Sequence, residues 1–274
     1  MTSRGSALLL SCLLLSACGA GASTAPPPAP SPTAQAAAPA TPRAALTPEA
    51  IQAILGAPDR TDADRKTDLQ RHPAELLAFM GVGPGMRVAD LGAGGGYTSE
   101  LLARAVGPSG VVYGQNDPEL LKKFMEGSWA ARLARPVNHI VVRADRTFDA
   151  PLPPEAHDLD VVVDYIFYHD TVWIGVDRAK MNSAVFAALK PAGIYVIVDA
   201  RAQDGHGVND AKTLHRIEES VVGAEVKAAG FTLAGKATFL ANPADTRDWS
   251  SSPRAAGERL GTEDRFVLKF VKPS

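Results

Sequence analysis

Cysteine is nearly missing: the 274-residue chain has two, Cys12 and Cys18, both within its first 18 residues. The rest of the chain can form neither a disulfide nor a thiolate-ligated metal centre. An excess of positive charge is missing too. The 28 lysines and arginines are balanced by 30 aspartates and glutamates, for a formal charge of −2, and no long basic run occurs. A general binder of phosphate backbone needs a concentrated positive surface, so stable nucleic-acid binding is not expected. The sequence has no internal repeat, and no apolar run reaches the roughly 20 residues that a membrane-crossing helix requires.

What is there suffices for a buried core. Apolar residues make up 46% and charged residues 21%, which excludes a wholly disordered or fibrous chain. The first residues have the layout of an export signal: Arg4, the apolar run from Ala7 to Leu15, then Ser16-Ala17-Cys18. Leu15-Ser16-Ala17-Cys18 resembles the lipobox of bacterial lipoproteins, which implies a signal peptide over 1–17 and a lipid anchor on Cys18. Residues 18–45 read as a disordered Ala/Pro-rich tether: positions 19–45 hold seven prolines, eleven alanines and a single charge, and have little to bury. The expected location is the periplasmic side of a bacterial envelope membrane, with the outer membrane favoured by Gly19 after Cys18.

From residue 46 to 274 a single domain is expected. Two helices are predicted first, Pro48 to Leu55 and His72 to Met80. Short apolar, β-branched runs follow as strands at Met86–Leu91, Val111–Gly114, Ile140–Arg143, Val161–Ile166 and Ile194–Val198. Helices are predicted between them at Thr98–Val106, Pro118–Leu133 and Arg178–Leu189. This alternation predicts a doubly wound, mostly parallel α/β sheet covered on both faces. A helix over Asp210–Ala229 is predicted next. Two further strands, Phe231–Leu240 and Arg265–Val271, have no helix between them and predict an antiparallel edge in a seven-stranded sheet.

The sharpest chemical signal is Val88-Ala89-Asp90-Leu91-Gly92-Ala93-Gly94-Gly95-Gly96-Tyr97, a strand running into glycines and then a helix. Glycines bring backbone close to a ligand in the crevice beyond the strand ends. A dinucleotide-dependent oxidoreductase uses such a turn too, but the carboxylate of Asp90 would repel a pyrophosphate and suits a cationic ligand.

Here the sequence resembles the class I S-adenosylmethionine-dependent methyltransferases. Pro84-Gly85-Met86-Arg87-Val88-Ala89-Asp90-Leu91-Gly92 through Tyr97 matches their first motif, and Gly107-Pro108-Ser109-Gly110-Val111 leads into their second strand. It is also similar to an uncharacterised bacterial group of predicted methyltransferases, through Arg71-His72-Pro73, Tyr168-His169-Asp170 and Thr213-Leu214-His215. The resemblance implies a Rossmann-like methyltransferase fold, S-adenosylmethionine as cofactor, and a small-molecule or lipid-like acceptor. It implies that Asp90 holds the amino group of the cofactor and that Gly92, Gly94, Gly96 and Tyr97 accommodate its aminoacyl part. Asn116 stands where an acid usually binds the ribose hydroxyls, Asp145 lies in the adenine region, and Asp164 closes the cofactor set.

On the acceptor side, Tyr168, His169 and Asp170 follow the fourth strand and are the candidate catalytic residues, with His169 as base. Asp170, Asp199, Asp204, His206 and His215 supply oxygen and imidazole on that face, but no tight spacing such as His-x-x-x-His occurs, so no metal site is expected. The alternative function is a membrane-tethered binding protein that keeps the fold without catalysis.

Overall fold

The computed structural model describes residues 44–274. The expected signal peptide, the lipidation site Cys18 and all but the last two residues of the tether lie outside the described residues. No helix among the described residues is long and apolar enough to cross a membrane.

Seven strands form one sheet: β1 (Arg87–Leu91), β2 (Val111–Asn116), β3 (Val141–Asp145), β4 (Leu159–Tyr165), β5 (Leu189–Ala200), β6 (Thr232–Ala237) and β7 (Arg265–Val271). Their order is β3-β2-β1-β4-β5-β7-β6. All pairings from β3 to β5 are parallel, and β7 runs antiparallel to both β5 and β6, so the antiparallel last strand is observed. The chain runs from β1 outward through β2 and β3, then returns to place β4 on the other side of β1. Ligands in open α/β sheets bind beyond the carboxyl ends of strands at such a reversal.

Alternation along the strands feeds two cores. On one face Val88, Val161, Val163 and Val196 pack under α1 (Pro48–Leu55), α3 (Pro73–Met80) and α4 (Tyr97–Val106) through Ile51, Leu77, Met80 and Leu102. On the other, Leu91, Val162, Tyr195 and Ile197 meet α8 (Arg178–Ala188) and α9 (Glu219–Ala228) through Met181, Val185, Val222 and Val226. Each fully buried large aliphatic side chain contributes roughly 1.5–3 kcal/mol, so both faces are needed.

Besides the short helix Tyr168–Trp173 after β4, three elements depart from the sequence expectation. Helix α2 (Asp62–Arg71) has an almost wholly polar sequence and is held instead by a capping box, with Thr61 and Asp64 exchanging hydrogen bonds, and by ion pairs. The helix predicted over Pro118–Leu133 is interrupted: α5 (Pro118–Leu120) passes through a π-helical turn at Leu121–Met125 into α6 (Glu126–Leu133). The stretch remains helical throughout, but its register changes at that turn, which swings Met125 toward the glycine loop. Third, the helix predicted from Asp210 begins only at Glu219. His215 has φ of 53°, and Ile217 forms a parallel bridge to Arg201, so residues 210–217 leave the helical path. The buried guanidinium of Arg216 enforces this by pairing with Asp245 at 2.8 Å and donating to the carbonyls of Arg201 and Trp249.

Candidate active site

β1 delivers the chain into three glycines in the left-handed region, with φ of 62° at Gly92, 58° at Gly94 and 80° at Gly96. Two of them are also forced by close packing. A Cβ on Gly92 would lie 2.5 Å from the Phe167 ring, and one on Gly96 would lie 2.5 Å from the Trp129 ring. Gly94 differs: its nearest neighbour would be Met125 Sδ at 3.5 Å. Its open side belongs to a cavity of about 460 Å³ that Asp90, Arg71, Tyr97 and His169 also line.

The two residues ending β2 tie this loop down. The Gly92 N–H donates to Gln115 Oε1 at 3.0 Å, and the Gly94 N–H donates to Asn116 Oδ1 at 2.8 Å. Asn116 also donates from Nδ2 to the Gly94 carbonyl at 3.3 Å. Its side chain is thus turned onto the loop and does not line the cavity.

Asp90 is buried and accepts a hydrogen bond from the Ser99 hydroxyl at 2.6 Å. Burial pushes its carboxyl up to about 7, against the opposing pull of Ser99 and Arg71. Arg71, at the end of α2, lies over the rings of Tyr165 at 4.5 Å and Tyr97 at 5.2 Å. The Tyr97 hydroxyl donates to Asp68 at 2.5 Å, which fastens α2 to the start of α4. The Arg71 guanidinium and the Asp90 carboxyl therefore line the same small cavity.

Beyond β4 the chain turns through Ile166, a β-branched residue at φ 60°, whose N–H donates to the Val198 carbonyl at 2.7 Å. The short helix α7 (Tyr168–Trp173) follows and presents His169 and Asp170 to the cavity. Buried Asp199 of β5 grips His169 twice, accepting from its peptide N–H and contacting Nδ1, each at 2.7 Å. On the other side of the ring, Nε2 lies 3.1 Å from Asp170 Oδ1 and 3.2 Å from His215 Nδ1. His215 Nδ1 is in turn 3.2 Å from Asp170 Oδ1, and the Trp173 indole donates to that oxygen at 2.7 Å. Burial opposes a charge on His169, but Asp199 and Asp170 outweigh it and push the imidazole up to about 10. Burial likewise opposes ionisation of Asp170, yet the two histidines and Trp173 hold its carboxyl well below the usual range. His169 thus holds a proton at neutral pH in this geometry, and is not a ready acceptor of one.

The remaining predicted residues are scattered. Tyr168 is fully buried, donates to Glu225 and accepts from Asn182, both at 2.8 Å, and does not line the cavity. Asp145 pairs with Arg143 at 2.7 Å at the sheet edge. Asp164 is fully buried beneath the site, and neither carboxyl oxygen makes a well-aligned hydrogen bond. Burial, then the neighbouring Asp199, pushes it far up, which keeps it neutral. Arg71 and His215 line the cavity as well; the sequence marks them only through the resemblance carried by Arg71-His72-Pro73 and Thr213-Leu214-His215, and assigns neither a role in the site. His215 is placed by Ser251, whose N–H donates to the Leu214 carbonyl at 2.9 Å and whose hydroxyl donates to the His215 carbonyl at 2.6 Å.

A second cavity of about 630 Å³ adjoins the first and shares Met125, Phe167, Asp170 and His215 with it. Leu120, Phe124 and Trp173 make it largely apolar, and the last two are 45% and 40% exposed. A polar crevice over the glycines thus opens beside an apolar one, with the histidine cluster between them.

No family model matches the chain. Solved structures share its fold. It is similar to a SAM-dependent methyltransferase from Aquifex aeolicus, with TM-score 0.53 and 17% identity over 82% of this chain and 98% of that one. It is also similar to a chain in the complex of the Trm112 methyltransferase activator from Haloferax volcanii, with TM-score 0.54 and 20% identity over 84% and 100% of the two chains. The [4+2]-cyclase SpnF matches with TM-score 0.52 and 17% identity over 77% and 81%. The chain therefore has the Rossmann-like methyltransferase fold, and the cyclase shows that this fold is not confined to one reaction.

Proposed function

We propose that the chain is an S-adenosylmethionine-dependent methyltransferase acting on a small or lipid-like acceptor. The observation that carries this reading is the pairing of Asp90 and Arg71 on one cavity above Gly94, the open glycine of the loop. An aminoacyl group is a zwitterion, and a carboxylate and a guanidinium complement its two charges. The bare backbone at Gly94 leaves room that a Cβ would fill. When bound, the cofactor supplies a methyl group on a sulfonium.

Around it, Asp90 holds the ammonium, Arg71 the carboxylate, and Asn116 fixes the loop rather than the ribose. The acceptor takes the apolar cavity, with its nucleophile directed at the His169, Asp170 and His215 cluster. The anchor read at Cys18 would set this reaction at an envelope membrane, where an apolar acceptor is abundant.

Calorimetric titration of the purified chain with S-adenosylmethionine and with S-adenosylhomocysteine tests the reading. Micromolar binding is expected, weakened at least about tenfold, or 1.4 kcal/mol, in Asp90→Asn. His169→Ala should spare that binding and lower turnover by about 10²-fold or more. Absence of binding to folded chain would overturn the proposal and favour a binding protein built on this fold.

A further inference from the structure

Three potential ligand atoms converge between the two cavities: His169 Nε2, His215 Nδ1 and Asp170 Oδ1. They form a nearly equilateral triangle with sides of 3.1, 3.2 and 3.2 Å. Hydrogen bonds close it only when His169 Nε2–H and His215 Nδ1–H both donate to Asp170 Oδ1, which sets the two nitrogens side by side at 3.2 Å. A divalent cation at the centre would take the place of those two protons. For metal–ligand bonds of about 2.1 Å, neighbouring ligand atoms stand about 3.0 Å apart in an octahedron and about 3.4 Å apart in a tetrahedron. The observed sides fall between these values.

The surroundings are those of a ligand set held in place. Asp199 contacts His169 Nδ1 at 2.7 Å and accepts its peptide N–H at 2.7 Å, which fixes the ring so that Nε2, once it gives up its proton to a metal ion, faces the triangle. A carboxylate behind a ligating imidazole is the usual outer support of a metal-bound histidine. The Trp173 indole orients Asp170, and Ser251 fixes the His215 backbone. His169 and Asp170 are adjacent in sequence, whereas His215 arrives from a segment 46 residues away, which is why no ligand spacing is visible along the chain.

We propose that His169, His215 and Asp170 bind one first-row divalent transition-metal ion, of the class of Zn²⁺, Fe²⁺ or Mn²⁺, on the wall shared by the two cavities. Two imidazoles and one carboxylate favour such ions over Mg²⁺ and Ca²⁺, which prefer oxygen ligands. All three residues line the polar cavity, and Asp170 and His215 also line the apolar one. The remaining coordination positions therefore face the space where an acceptor oxygen would enter. The proposal does not depend on the glycine loop binding a methyl donor.

The test is calorimetric titration of the chelator-treated full-length chain, carrying Cys12→Ser and Cys18→Ser so that no thiol competes, with Zn²⁺ and with Mg²⁺. Visible absorption of the Co²⁺-loaded chain reports the ligand set. One equivalent of Zn²⁺ is expected, with Mg²⁺ unable to displace it at millimolar concentration. His215→Ala, on a partly exposed loop, and the isosteric Asp170→Asn should each weaken Zn²⁺ by at least about 100-fold and alter the Co²⁺ spectrum. Asp90→Asn should leave both unchanged, which separates this result from the fate of the methyl-donor reading. Lack of stoichiometric binding by a chain with an intact melting transition would overturn the proposal, as would binding that survives His215→Ala or yields equally to Mg²⁺.

Discussion

Asn116 holds Gly94 from both sides, accepting its N–H at 2.8 Å and donating to its carbonyl at 3.3 Å. An aspartate keeps the acceptor and loses the donor, and it sets a carboxylate against the Gly94 carbonyl. Asn116→Asp is therefore expected to loosen the glycine loop rather than to create a ribose ligand. The expected cost is about 1–3 kcal/mol in denaturant unfolding, with S-adenosylmethionine binding weakened as well. Tighter binding in Asn116→Asp would show that the side chain can leave the loop for the ligand.

Gly94 and Gly96 share a left-handed backbone but not a neighbourhood. Alanine at Gly96 meets the buried Trp129 ring at 2.5 Å, whereas alanine at Gly94 meets only Met125 Sδ at 3.5 Å. Gly96→Ala should lower the melting temperature sharply, since overpacking adds about 1–3 kcal/mol to the backbone strain. Gly94→Ala should cost about 1 kcal/mol and yet abolish methyl-donor binding, because its methyl group fills the cradle. Parallel thermal melts and titrations of the two variants separate packing from binding.

What the sequence disclosed and what it hid divide along physical lines. β1 and the glycine loop are written in adjacent residues, and the sheet follows from apolar runs, so both were legible. Helix α2 was not, because DADRKTDLQR has no apolar stripe; its stability comes from partners such as Arg132 and Tyr97, distant in sequence. The segment before α9 reads as helix, but a buried Arg216–Asp245 pair outweighs local propensity. Among the residues that line the polar cavity, the motif singles out Asp90 and Gly94. Tyr168 is grouped with His169 by adjacency, but its hydroxyl turns inward to Glu225 and Asn182. The meeting of His169 with His215 is a tertiary event that no local spacing records.

Glu100 tests how firmly the cover over the crevice is held. Its buried carboxylate pairs with Arg104 at 2.8 Å, Arg132 at 2.9 Å and Arg135 at 2.6 Å, while Arg132 and Arg135 also reach Asp64 of α2. Glu100→Gln leaves three guanidinium groups sharing one acid fewer, and should cost about 3–5 kcal/mol. The exposed pair of Glu126 with Arg143, also at 2.8 Å, provides the contrast. Glu126→Gln should cost no more than about 1 kcal/mol. Equal losses in urea unfolding would mean that Glu100 does not organise the network.

Asp90 sets a pH dependence whose sign differs between stability and binding. In the folded chain burial raises its carboxyl to about 7, whereas an unfolded aspartate ionises near about 3.9. Between these values the folded state keeps a proton that the unfolded state has released. The contribution of this group to stability is full below the lower value and is lost as pH rises through the upper one. Asp90→Asn cannot ionise, so its melting temperature relative to the parent should climb from about pH 5 to about pH 8. Affinity for a cationic ligand should run the other way in the parent, rising through about 7 as the carboxylate forms, and should stay flat in Asp90→Asn. A melting difference that does not change over this range would mean that Asp90 is already ionised in the folded protein, with Arg71 and Ser99 overcoming its burial.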